Sequence, residues 1–320
     1  MTSYVLRRIV RLVPLLLMVV VFNFLLIHAA PGDPVHMLAG DAATPEYVER
    51  VRREFGLDRS IAVQLATYVQ KLTHGDLGSS FVHRQPVADL IVARLPPTIL
   101  LMGTALLISV SIGVSLGMLA AWRPNSWLDH ATRIVSVTGF SLPIFWLGQL
   151  LLLVFALWLN WFPVQGMQSL RAPMTGMGRW LDLLRHLALP AVTFAVYNIA
   201  LLGRLTRTTM VELLREDFVR TARSKGLSER RVFVKHAFRN AMIPLVTVVG
   251  TNLGLLLMGS VLTETVFGWP GLGRLMYEAL YGRDYPVLMG LFVCVSAAVV
   301  LANLVTDLAY ARLDPRIRLA

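Results

Sequence analysis

Phosphoryl transfer from a nucleotide needs a Gly-Lys pair followed by Ser or Thr, because the lysine bridges phosphates and the hydroxyl holds the metal. The chain has only three lysines, Lys71, Lys225 and Lys235, followed by Leu72, Gly226 and His236. None completes such a loop. A serine-nucleophile turn starts at Gly139-Phe140-Ser141, but Leu142-Pro143 follow, so no nucleophile elbow is completed. The seven histidines are scattered, without an H-E-x-x-H pattern or a local acid-histidine cluster. The one cysteine, Cys294, permits neither an internal disulfide nor a cysteine metal cluster. These residues predict a chain with no catalytic group, no metal and no cofactor. His28 and His186 are expected near helix ends as hydrogen-bonded groups, and Cys294 as a small apolar residue in a helix.

The side chains that could still do something are polar groups set in apolar surroundings. Such groups need partners or water, so they mark a bundle interior or a pore. Asn198, Thr247, Thr251 and Asn252 are the deepest of them. Asn303, Thr306, Asp307 and Tyr310 fall on linked turns of a later apolar segment, and Glu264 sits beside a Phe-Gly-Trp-Pro-Gly-Leu-Gly stretch. They are candidate pathway or gate residues, with structural hydrogen bonding as the competing role of each.

The elements that position these residues are long and greasy. Of 320 residues, 56% are apolar and 15% charged. A bilayer core of about 30 Å takes roughly 20 apolar residues per helix. Six windows meet that need, at residues 12–30, 95–122, 134–170, 187–203, 240–263 and 286–306. The third is long enough for a helix plus a re-entry into the interface. Arg7, Arg8 and Arg11 ahead of the first window imitate a secretory signal. Its 19 residues exceed the usual apolar length of such signals, about 7–15, so it reads as an uncleaved anchor. With the N-terminus inside and six crossings, the inner side collects 18 of the 30 basic residues and 7 acidic ones, a net +11. That equals the whole formal excess, as the positive-inside rule asks. Basic residues spread along juxtamembrane loops fit anionic lipid and topology rather than nucleic acid.

Between the first two windows, an outer stretch has helical punctuation. Thr44, Pro45 and Glu46 read as a cap, a first-turn proline and a dipole-matching acid, opening a helix that ends near Phe55 at Gly56. Asp58 is expected to cap a second helix over 60–73, closed by Gly75, and a third is expected to begin at Pro86. Together they predict a small helical cap on the outer surface. Ser109, Gly113, Gly117 and Ala121 recur every four residues, as do Gly250 and Gly254, and such ridges let helices approach closely. Packing within the chain is the expectation, a subunit interface the alternative. Trp122, Trp127, Trp158, Trp161 and Phe162 are expected as interface anchors.

The longest inner segment, 204–239, is strongly basic. Met210, Leu213, Leu214, Phe218 and Ala222 keep helical spacing, and Lys225-Gly226 supplies a terminating cation and glycine. Ser228 is expected to cap a second short helix carrying Val232, Phe233, Ala237 and Phe238, with Pro244 opening the fifth span. Two short helices joined by a glycine turn predict a stiff protrusion, either a solvated basic loop or a docking knob for a cytoplasmic partner.

The run DFVRTARSKGLSERRVFVKHAFRNAMIPL resembles the EAA loop of ABC-importer permeases, in the form found in the dipeptide/oligopeptide (peptide/nickel) family. Gly226 matches the loop's glycine, while Arg220 and Thr221 replace the usual Glu-Ala ahead of Ala222. PGDP (31–34), GDLGSSF (75–81), SLPIFWLG (141–148), FGWPGLG (267–273) and DPRIR (314–318) are similar to that family too, in order over almost the whole chain. The resemblance implies an all-α, MetI-like, type I importer permease with both termini inside. It implies a half-pore in a bacterial cytoplasmic (inner) membrane, paired with a second homologous permease subunit. Two cytoplasmic ATP-binding subunits and an extracytoplasmic substrate-binding protein would complete the importer. Phe218, Arg220, Thr221, Ala222, Lys225, Gly226 and Leu227 would form the ATPase-coupling loop. The domain plan that follows is an anchor helix at 1–30, an extracytoplasmic helical region at 31–96, a permease core at 97–310 with its coupling loop at 204–240, and a cytoplasmic tail at 311–320. Dipeptides or oligopeptides are the expected cargo, with nickel chelates and glutathione as alternatives in the family. A proton-coupled secondary transporter is the alternative from another class, but midplane carboxylates and a repeat of broken helices are lacking.

Overall fold

In the computed structural model, the described residues are 2–29, 44–54, 56–169, 176–256 and 259–313. The PGDP and DPRIR stretches, Phe55 and the side chains of Asp307 and Tyr310 lie outside them. Helices α1 (Thr2–Ala29), α2 (Pro45–Glu54) and α3 (Ile61–Thr73) come first. Gly56 and Gly75 have φ of +66° and +77°, which glycine adopts without steric cost, and the chain turns at both. Ser60, not Asp58, occupies the cap position of α3, and its hydroxyl makes no cap bond.

The separate third helix expected at Pro86 does not exist. It is the start of α4 (Val87–Trp122), 36 residues and about 54 Å long, so the expected boundary after residue 96 falls inside a helix. Pro96 and Pro97 remove two helical donors. The outer loop binds the helix just beyond them. The Trp269 indole donates to the Pro97 carbonyl at 2.9 Å, and the Thr98 hydroxyl accepts from the Leu272 N–H at 2.7 Å.

After α4, Ser126 caps α5 (Trp127–Ser141), which meets α6 (Ile144–Leu151) at a bend of 102° over Leu142-Pro143. A π-type turn, Leu152–Trp158, continues α6. Next are α7 (Met177–Leu213), α8 (Asp217–Ser224), the single turn α9 (Glu229–Arg231), a second π-type turn (Val232–Phe238) and α10 (Arg239–Leu256). The short α11 (Val261–Val266) and α12 (Leu272–Tyr281) lead into α13 (Tyr285–Leu313).

Among the described residues, four helical stretches are long and apolar enough to cross a bilayer: α4, α7, the rod Glu229–Asn252 and α13. The bent α5–α6 pair, counted as one crossing, brings the number to five, against the six windows of the sequence; the described apolar stretch of α1, Leu16–Leu26, is shorter than a full span. Among the described residues the only strand-like feature is one isolated bridge, Ser79 to Pro86.

The small-residue ridge of α4 seats α7 inside the same chain. A Cβ on Gly113 would stand 3.0 Å from the Ile199 carbonyl, and one on Gly117 2.5 Å from the Thr206 Cβ. Gly250 of α10 does the same for α13, where a Cβ would overlap Thr306. Trp122, Trp127, Trp158 and Trp161 are exposed, as interface anchors require, while Phe162 is half-buried against Ala156, Leu189 and Phe267.

Candidate functional site

The inner end of the bundle carries the hairpin. After α7 the chain breaks at residues 214–216, so Met210, Leu213 and Leu214 do not share one helix with Phe218 and Ala222 as their spacing predicts. Glu216 is extended and α8 restarts at Asp217, whose acid suits the helix N-terminus. At the other end Gly226 takes φ +73°. Its N–H reaches the Arg223 carbonyl at 2.9 Å, and the Leu227 N–H that of Ala222 at 3.4 Å, the paired bonds of a glycine-terminated helix. The second separate short helix is likewise absent. From Glu229 the chain stays helical through Pro244 to Leu256, so α8 hangs between two spans.

The two sides of α8 differ. Val219 and Ala222 are buried with Val232 against Leu214 and Leu227. Burying a valine contributes about 1.5–3 kcal/mol, which fixes α8 on its base. Phe218, Arg220, Thr221 and Lys225 face outward. Arg223 donates to Glu229 from Nε and Nη2 (2.9 and 3.2 Å), closing the hairpin. The base continues upward, as Met210 of α7, Ala121 of α4, and Phe233, Ala237 and Ala241 of the α10 rod form one buried cluster. Of the seven predicted coupling residues, Ala222 and Leu227 therefore hold the hairpin, Gly226 turns it, and the other four present its surface.

The candidate pathway residues divide as well. Asn198 of α7 is buried, and Asn252 of α10 donates to its side-chain carbonyl at 3.4 Å. Thr247 and Thr251 lie exposed on α10, each donating to the carbonyl one turn back. Asn303 is exposed on α13, while Thr306 is buried and bonds the Ala302 carbonyl at 2.7 Å. Glu264 faces no opening. It is fully buried, accepts from Thr98 at 3.0 Å and from the Arg274 N–H at 3.0 Å, and locks α11 and α12 onto α4.

Two clasps escaped the sequence. Asp129 is buried at the start of α5, where it accepts from the Asn125 N–H (2.8 Å), Arg133 Nη2 (2.6 Å), Arg207 Nη2 (2.8 Å) and Arg207 Nε. The Arg133 spacing of four was a visible cue; Arg207, 78 residues on, was not. Asp284 accepts from the Ser80 hydroxyl (2.5 Å) and the Phe81 and Val82 N–H groups (3.0 and 3.2 Å), fastening the 78–86 loop to α13.

A polytopic helical bundle with a short basic helix slung beneath it is the shape of a transporter's membrane subunit. The family described as binding-protein-dependent transport system inner membrane component matches residues 113–319, and its N-terminal companion matches 1–102; the chain belongs to this family. The probable peptide ABC transporter permease protein y4tP of Sinorhizobium fredii (strain NBRC 101917 / NGR234) is 42% identical over 318 residues, 99% of this chain and 100% of that protein. The glutathione transport system permease protein GsiC of Escherichia coli (strain K12) is also 42% identical, over 99% of both. Among solved structures, an inward-facing conformation of the MetNI methionine ABC transporter has a TM-score of 0.55 at 18% identity. It covers 70% of this chain and 96% of that chain, a likeness of fold alone. The protein is an ABC-importer permease, a multi-pass inner-membrane subunit of a machine that includes ATP-binding subunits.

Proposed function

We propose that the chain forms one half of a translocation pathway for dipeptides and short oligopeptides. A second, homologous permease subunit lines the other half, an extracytoplasmic binding protein delivers cargo, and one of two ATP-binding subunits grips α8. The observation that carries the coupling role is the two-sided α8: its apolar side is anchored to Leu214 just after α7 and to Val232 on the rod leading into α10, and its other side offers Phe218, Arg220, Thr221 and Lys225. A helix held that way passes a push into the spans instead of absorbing it. The peptide assignment draws on relatives named for peptide and glutathione transport, glutathione being of tripeptide size. The chain itself supplies positioning and a route, while hydrolysis belongs to its partners.

The test is disulfide cross-linking in the assembled importer. A cysteine at Phe218 or Thr221 should trap a cysteine in the ATP-binding subunit, and one at buried Val219 should not. Efficient trapping from Val219, or none from the outward positions, would remove α8 as the coupling element.

A further inference from the structure

A cavity of about 670 Å³ lies at the opposite end of the molecule from the hairpin. Phe24 and His28 of α1, the Gly56-Leu57 turn, α3, the loop 76–84 and the first turns of α13 wall it. No residue of α4 to α12 lines it, so it stands apart from the Asn198–Asn252 contact. Its floor is apolar, built from Phe24, Leu77, Tyr285 and Met289. Its rim is cationic: Arg59, Lys71 and Arg84 are exposed, and none has an ion pair among the described residues. The one rim carboxylate, Asp76, is already engaged by the Gly78 N–H at 2.8 Å. His28 and Gln64 satisfy each other at 3.2 Å. In the wall, the Tyr68 hydroxyl is buried with no hydrogen-bond partner among the described residues.

Three cations against one carboxylate, over an apolar floor, fit an anion attached to an apolar body. The depth agrees. Phe24 and His28 bracket the outer end of the apolar stretch of α1, and Tyr285 opens α13, so the cavity sits where headgroups meet acyl chains. A free anion would use the rim and leave the floor bare. A peptide's ammonium would meet three cations and a single carboxylate, Asp76, on this rim.

We propose that this cavity holds one anionic phospholipid of the outer leaflet. Its phosphate sits among Arg59, Lys71 and Arg84, and its glycerol and upper acyl carbons lie over Phe24, Tyr285 and Met289. The lipid thereby mortars the outer cap to α1 and α13.

The test is native mass spectrometry of the complete importer, exchanged into detergent with equal phosphatidylglycerol and phosphatidylcholine. The parent should retain one more phosphatidylglycerol than the Arg59→Gln/Lys71→Gln/Arg84→Gln variant, and phosphatidylcholine should not fill the difference. Removing three phosphate contacts should weaken retention on the order of 100-fold. A photo-reactive phosphatidylglycerol should label α3 or the 76–84 loop in the parent. Equal retention in parent and variant, equal retention of phosphatidylcholine, displacement by glycerol 3-phosphate or by a dipeptide, or labelling confined to other segments would each overturn the proposal.

Discussion

Gly117 shows what a single hydrogen in place of a methyl does in this bundle. A Cβ there would lie 2.5 Å from the Thr206 Cβ and 2.6 Å from the Gly203 carbonyl, both on the facing helix. Neither can yield, because Thr206 is buried and the carbonyl is backbone. Gly117→Ala is expected to destabilise the chain by about 1–3 kcal/mol, the usual cost of overpacking, read as a lower unfolding midpoint in detergent. Gly103→Ala meets nothing within 4 Å and should leave the midpoint unchanged or slightly raised. The four-residue ridge was legible in the sequence, because small residues at that spacing have one geometric consequence. The partner side chains were not legible, since nothing in residues 109–121 specifies α7. The same holds for Asp129, whose local Arg133 could be read but whose remote Arg207 could not.

At the scale of elements, the glycine stops were readable and the helix breaks were not. Gly56, Gly75 and Gly226 end helices at the expected places because positive φ is a property of the residue itself. The break at 214–216 and the continuity through Pro96, Pro97 and Pro244 depend on surroundings. Proline is tolerated in a spanning helix when neighbours re-satisfy the freed groups, so it marks no boundary there. Reading Pro244 as a span opener therefore divided a helix that is whole. Gly226 carries the sharpest prediction for the hairpin. Nothing lies within 4 Å of its would-be Cβ, so the penalty for a side chain is purely one of backbone strain, about 1–2 kcal/mol. Gly226→Val should leave membrane insertion and complex assembly intact while abolishing ATP-driven uptake in proteoliposomes. Unaltered uptake would mean that the turn geometry is irrelevant to coupling.

Across the whole molecule, hydropathy and charge made the class legible, since a bilayer imposes its thickness on every crossing helix. Cargo was not legible, because no residue of the chain names it. Asn198 and Asn252 are the pathway candidates brought into contact, and an importer whose binding protein selects cargo needs only a wettable route here. Asn252→Ala should accordingly lower the rate for every peptide while keeping their rank order, as measured by competition uptake; a reordered preference would show that this pair reads cargo. The unbroken run from the hairpin to that contact has a mechanical consequence. Glu229–Asn252 is 24 residues, a stiff arm of roughly 35 Å. Tilted by only about 5° at its foot, it displaces its far tip by about 3 Å. That sweep is comparable to the 3.4 Å separating Asn252 from Asn198, so on the coupling proposed above a modest nudge from below would part this contact.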